Sequence, residues 1–258
     1  MKRLLGQTLF VLAVGSSAVA LTPACAENDR TIFVRHVMAP PQNRQGGTCV
    51  YTQDENQPFL TEGTLDAAVS KNYVATLLVG SQLMPRGDQT NTRAESNRTH
   101  LNGAIVKVTD AAGNVINEFT SLGSGFVNPG QSANASFGLI GVRLLDAQTV
   151  NEIEKRLGVT RTDPKLVIAN VKVFGKTLGG VDVESGEFQF PIRVCQGCLI
   201  SFVTGDDPST EEIDCQKPTT TAPGTGGTQI QTPCYLGQDE TVPCELCRDY
   251  LEACRIRR

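Results

Sequence analysis

Seven of the nine cysteines of this 258-residue chain lie at or beyond Cys195, and that crowding constrains the fold more than any other feature. They are Cys195, Cys198, Cys215, Cys234, Cys244, Cys247 and Cys254, with Cys25 and Cys49 upstream. The residues between them, 204–233, are rich in Thr, Gly and Pro and hold too little apolar surface to form a core, so they are expected to be a flexible linker. From Pro243 to Cys254 the spacing predicts a helix, with Cys244, Cys247, Leu251 and Cys254 sharing one face. A helix of about 12 residues is marginal alone in water, so this one needs to be tied down.

Three chemistries fit such a cysteine set. In the first, Cys49, Cys195, Cys198, Cys215, Cys234, Cys244, Cys247 and Cys254 form four structural disulfides, each typically worth about 2–4 kcal/mol. Their pairing is not readable from sequence, since eight cysteines allow about 105 connectivities. The three cysteines on the helix face are expected to pair mostly off the helix, because a bridge within one turn is strained. In the second, the two C-x-x-C pairs hold zinc. Roughly 45 residues separate those pairs, against about 15–20 in a usual zinc site, and an oxidising compartment competes for the thiols. In the third, Cys195-Gln196-Gly197-Cys198 is a redox dithiol. It follows a strand instead of opening a helix, so the helix terminus that lowers a thiol pKa is missing. The structural reading is preferred, with no metal or cofactor expected.

The first residues carry an export signal. Lys2 and Arg3 precede an apolar stretch from Leu4 to Leu21 that polar and glycine residues interrupt too often for a membrane span. Leu21-Thr22-Pro23-Ala24-Cys25 resembles the lipobox of bacterial lipoproteins. That resemblance implies removal of residues 1–24, lipidation of Cys25, and anchoring by lipid chains at the membrane surface. The residue after the cysteine is Ala26 and not aspartate, which by the same resemblance implies the outer membrane. Ordinary cleavage after Ala20 or at Ala24-Cys25-Ala26 competes. Without Cys25 the remaining cysteines number eight, an even set suited to export and to disulfides.

Between the two ends the chain reads as strands. Residues 31–38 are a first strand, 49–52 a second, and 72–83 a long buried one, followed by a polar loop over 84–100. Strands then follow at 104–109, 115–121 and 136–145, with a Gly-Asn turn at 110–114. Asp146 as N-cap, Val150, Ile153 and Leu157 on one face, and Gly158 as C-cap predict one short helix. Lys165–Phe174 alternates cleanly, and 181–194 returns with a kink near Gly186. Many strands and one helix predict an all-β fold. The expected form is an antiparallel immunoglobulin-like β-sandwich with one short inserted helix and a small disulfide-rich C-terminal helical segment. The expected organisation is a signal peptide over 1–24, tether and first strand over 25–45, sandwich over 46–203, linker over 204–233 and Cys-rich helix over 234–258.

Charge and composition exclude some functions. The net charge of −4 becomes −6 once Lys2 and Arg3 are removed, which argues against nucleic acid as the main partner, since that needs a basic face. Two histidines leave little for a His-rich metal site, and His36 and His100 are isolated. Arg86-Gly87-Asp88 reads as a chance loop tripeptide, and Asn97 and Asn134 only match glycosylation acceptors. The mixed-charge loop with Arg86, Asp88, Asn91, Arg93, Glu95, Asn97 and Arg98 is a candidate for binding a polar partner such as glycan. Aromatic residues are only 5%, which leaves few rings for sugar faces.

The lipobox-like start, Asn91-Thr92-Arg93, Lys176-Thr177-Leu178-Gly179-Gly180, Phe190 to Leu199 (FPIRVCQGCL) and Pro243 to Arg248 (PCELCR) resemble a group of exported bacterial lipoproteins with no assigned activity. The resemblance implies location and architecture only. The expected function is therefore non-enzymatic: a lipid-anchored cell-envelope protein, periplasmic or surface-facing, with a disulfide-stapled body in a structural or binding role. Its expected partners are the membrane, through the anchor, and another envelope protein or polysaccharide. The alternatives are a periplasmic thiol-disulfide protein using Cys195 and Cys198, and a polysaccharide-binding module.

Overall fold

A computed structural model describes residues 31–42, 44, 48–87, 94–131, 134–202, 215, 232–249 and 251–255. The expected signal segment, Cys25, the expected tether over 25–30, residues 88–93 and most of the expected linker therefore lie outside the described residues. What is described is mostly β-structure with a single α-helix.

The elements are β1 (Ile32–Met38), β2 (Phe59–Leu60), β3 (Gly63–Asp66), β4 (Tyr73–Ser81), β5 (Thr99–Asp110), β6 (Val115–Val127), β7 (Ser136–Leu145), α1 (Ala147–Leu157), β8 (Lys165–Thr177), β9 (Asp182–Glu184), β10 (Phe188–Cys195), β11 (Ile200–Ser201) and β12 (Val242–Pro243). One sheet has the order β2-β1-β4-β7, with Val34 opposite Val79 and Leu77 opposite Ile140. The larger has the order β3-β10-β8-β5-β6, with β9 paired to β8, and curls into a half-barrel. Its centre is antiparallel, with Val106 opposite both Val171 and Phe119.

Both sheets bury one face against a single core. Alternation along β8 sends Val167, Ala169, Val171 and Val173 inward, where they meet Tyr73, Ala75, Leu77 and Val79 of β4 and Ile140 and Val142 of β7. The seam between the sheets runs along β6 and β7, where the backbones come too close for side chains. A Cβ on Gly125 would sit 2.2 Å from the Leu139 carbonyl oxygen, and one on Gly138 would sit 2.2 Å from that of Phe126. α1 closes one end of the core with Val150 and Ile153. Its Asp146 cap accepts from Thr149 N at 2.8 Å, and Gly158 ends it at φ 66°.

Several sequence-based expectations change here. Residues 49–52 are not a strand, and β2 and β3 stand in their place. Phe59-Leu60 and Gly63-Thr64-Leu65-Asp66 are too short to show a period, so only tertiary pairing identifies them. The larger sheet is not purely antiparallel, since β3 runs parallel to β10 with Ile192 opposite Gly63 and Cys195 opposite Asp66. The helix expected over 243–254 is absent. Short 3₁₀ turns at Cys244–Leu246 and Glu252–Cys254 flank an extended Leu251 at φ −119°, ψ 124°.

Candidate functional site: a disulfide loop folded over a buried carboxylate

At the C-terminal end of β10 the chain turns sharply through Gln196 and Gly197. Gly197 has φ 78°, a left-handed conformation that favours glycine, and the turn brings Cys198 back to bond with Cys195. Beneath this loop lies Asp66, the last residue of β3, with no solvent exposure. Asp66 Oδ1 accepts from Gly197 N at 2.6 Å and from Ala68 N at 3.0 Å, and Oδ2 accepts from Leu199 N at 3.0 Å. A carboxylate oxygen of Asp66 and the two sulfurs lie within 4.8 Å of one another. The carboxylate thus satisfies backbone donors of a loop 131 residues away in sequence.

The loop is also anchored through its backbone. Ala67 N donates to Cys195 O at 2.7 Å, and Val242 N donates to Leu199 O at 2.8 Å. Gln196 Nε2 donates to Glu154 Oε1 at 2.5 Å, and Lys71 Nζ reaches the same carboxylate at 2.6 Å, so the loop is linked to α1. Cys195 is fully buried, whereas Cys198 is open to solvent.

The other described cysteines also pair: Cys49 with Cys234, Cys215 with Cys244, and Cys247 with Cys254. The two C-x-x-C pairs therefore do not come together as a four-thiolate set. The expectation that cysteines of the 243–254 segment pair off it fails for Cys247 and Cys254. In a continuous helix those two Cα atoms would be about 10 Å apart, beyond reach of a bridge. The extended Leu251 folds the chain back and brings them to 5.9 Å. The chain-entropy estimate for Cys49–Cys234, which spans 185 residues, is about 5 kcal/mol, against about 2 kcal/mol for Cys195–Cys198.

The segment around Cys234–Asp239 is held to the sheets by a polar latch. Asp239 Oδ1 accepts from Thr64 N at 2.8 Å, and Oδ2 accepts from the Tyr73 hydroxyl at 2.8 Å and Gln238 Nε2 at 3.1 Å. The Gln238 amide copies a peptide group: it accepts from Val74 N at 2.8 Å and donates to Val74 O at 2.7 Å. Burial raises the Asp239 pKa above the usual carboxylate range, against the pull of its hydrogen bonds. Burial also raises Tyr73 well above the usual phenol value, with Asp239 adding to the effect, and pushes Tyr51 up to about 12. Arg44 pairs with Glu240, whose other oxygen accepts from Cys234 N at 2.8 Å.

The remaining sequence candidates lie apart. His36 is buried and stacks on Phe59 at 4.9 Å; its pKa is lowered by burial and then by Arg35. His100 stacks on Phe126 at 4.7 Å, and the Arg98 guanidinium lies 4.6 Å from the same ring. The two exposed phenylalanine rings thus already carry planar partners, which disfavours them as sugar platforms. In the mixed-charge loop, the Glu95 carboxylate turns inward to accept from Arg86 N, Gly87 N and Asn97 N, while Asp88, Asn91 and Arg93 lie outside the described residues. Sequence reasoning missed Asp66, Gln238 and Asp239. Asp66 carries a local signal, since it accepts from the N–H two residues on, as aspartate does in turns. Nothing local ties it to Cys195 and Cys198.

Neither a protein-family model nor a curated protein matches this chain. Four disulfides fit an oxidising, non-cytoplasmic compartment. Among the described residues no helix is long and apolar enough to cross a membrane.

Proposed function

We propose that this chain is a non-enzymatic cell-envelope protein, exported and held in the outer membrane by lipid on Cys25, with a disulfide-stapled β body in a structural or binding role. The observation that supports export is the concentration of bridges in the C-terminal part of the chain, while the anchor rests on the lipobox-like segment at Cys25. All eight described cysteines are bonded, and three of the four bridges lie wholly within the segment from Cys195 onward. Such stapling suits a body that must persist in an oxidising space. The immunoglobulin-like description belongs to the same proposal. It is supported by two sheets that share one core, and weakened by the parallel β3–β10 pair and the half-barrel curl.

The test is an intact mass of the protein from its native host, alkylated without reduction. The expected result is loss of residues 1–24, added lipid mass on Cys25 and no alkylated cysteine. A soluble product lacking lipid, cleaved after Ala20 or Ala26, overturns the anchor. A chain still carrying residues 1–24 overturns the export reading as well.

A further inference from the structure

We propose that the Cys195–Cys198 bridge is a reversible redox site, opened by an external dithiol while the other three bridges stay closed and the fold stays intact. This goes beyond the structural role and does not depend on the lipid anchor.

Three observations carry it. First, access is asymmetric in the way stepwise exchange requires. Cys198 is open to solvent, while Cys195 and the other six described cysteines are buried or half-buried. Within this bridge Cys198 is therefore the sulfur an incoming thiolate reaches, with buried Cys195 as the leaving group. Second, the loop does not rely on its sulfur–sulfur bond for its shape. Gly197 and Leu199 donate to Asp66 at 2.6 and 3.0 Å, the Cys195 carbonyl accepts from Ala67, and the Leu199 carbonyl accepts from Val242. The bridge spans only three residues, so opening it frees little chain. By contrast, Cys49–Cys234 spans 185 residues and secures a whole segment. Third, the reduced form is provided for. The Cys195 sulfur lies 3.6 Å from the Leu65 carbonyl oxygen, which accepts the S–H that reduction creates.

The chemistry is thiol–disulfide exchange. A thiolate of the donor attacks the Cys198 sulfur, and the bond to Cys195 breaks with its electron pair left on the Cys195 sulfur, which takes up a proton. The donor's second thiolate then attacks the donor sulfur of the mixed disulfide and releases Cys198 as a thiolate, which is also protonated. Two electrons and two protons pass from the dithiol to the loop, and the donor leaves as a disulfide. Asp66 is a positioning residue. Its oxygens hold the loop closed in the dithiol state, so the two thiols remain adjacent and the bridge can re-form.

The experiment titrates the full oxidised protein with dithiothreitol, quenches with acid, alkylates and maps the labelled cysteines, with circular dichroism recorded in parallel. The expected result is labelling of Cys195 and Cys198 together, with the other six unlabelled, the spectrum unchanged and closure on re-oxidation. Labelling only in company with other cysteines, another pair opening first, or loss of the fold on reduction overturns the proposal. The Cys195→Ala/Cys198→Ser double variant should fold with three bridges; failure to fold makes the bridge structural and also overturns it. For Asp66, the Gly197 and Leu199 amides should stay protected from hydrogen exchange in the reduced protein. Asp66→Asn should lower the oxidation equilibrium constant of this pair about tenfold, roughly 30 mV. Rapid exchange in the reduced wild type, or an unchanged constant in a folded Asp66→Asn, removes the role of Asp66.

Discussion

The two sheets and the C-terminal segment solve the same problem by different means. Among the described residues, the sheets and α1 share one apolar cluster of 28 buried residues, most of them Val, Leu, Ile and Ala, and no cysteine belongs to it. The C-terminal cluster has six buried members among the described residues, of which Cys215, Cys244, Cys247 and Cys254 are four. Six buried residues by themselves do not offset the entropy of ordering the backbone around them, at about 1–2 kcal/mol per residue. Covalent bridges and the Gln238–Asp239 latch supply what apolar burial does not. Among the described residues, the bridges thus gather where apolar burial is scarce, while the core shared by the sheets contains no cysteine.

The largest effect should come from damage to the shared core. Phe190 is 1% exposed and packs against Tyr73 with ring centroids 6.1 Å apart. Phe190→Ala should cost about 3–5 kcal/mol in denaturant melts and destabilise both regions together. A loss below about 1 kcal/mol would mean that the sheets are not held by this core.

Next in size is separation of the two regions. Replacing Cys49 and Cys234 by serine should cost up to about 5 kcal/mol by the chain-entropy estimate, and about 2–4 kcal/mol in practice. Amide exchange should speed up in residues 232–242 and remain slow in β5 and β8. Equal acceleration in both regions would break the comparison, since it would show one cooperative unit.

The smallest effect is a change of slope with pH. The Asp239 pKa is raised in the folded protein, chiefly by burial. The folded state therefore favours its protonated form, and the associated stability is full below about pH 3.8 and lost as the pH rises through the folded value. Relative to Asp239→Asn, the wild type should gain stability as the pH falls from 7 towards 4. Asp54 and Asp110, whose pKa values are lowered by hydrogen bonds, act in the opposite direction but equally in both proteins. A pH-independent difference between wild type and variant would remove the buried carboxyl from the latch.

Legibility followed the range of the interactions. β1, β4, β7, β8 and α1 could be read from apolar period and caps, because each presents a long face or a local capping contact to a core. β5 and β6 were found but run longer than their apolar stretches, since Thr99–Gly103 and Leu122–Val127 are paired through glycine-rich backbone that carries no period. The terminal segment was misread. Cys244, Cys247, Leu251 and Cys254 have helical spacing, yet bridges to Cys215 and between Cys247 and Cys254 fix a folded-back course. The candidate site was half legible: Cys195-Gln196-Gly197-Cys198 is visible as a motif, whereas Asp66 reaches it only through the parallel β3–β10 pairing.

The β-rich class, the single capped helix and the crowding of cysteines near the C-terminus follow from local residue order, because periods, caps and composition act over a few residues. Which cysteines bond, the parallel course of β3 beside β10, and the contacts of Asp66 and Asp239 with segments distant in sequence are set by the assembled fold. Those outcomes depend on which backbone donors remain unpaired once the sheets have closed, a property of the whole fold that no local window contains.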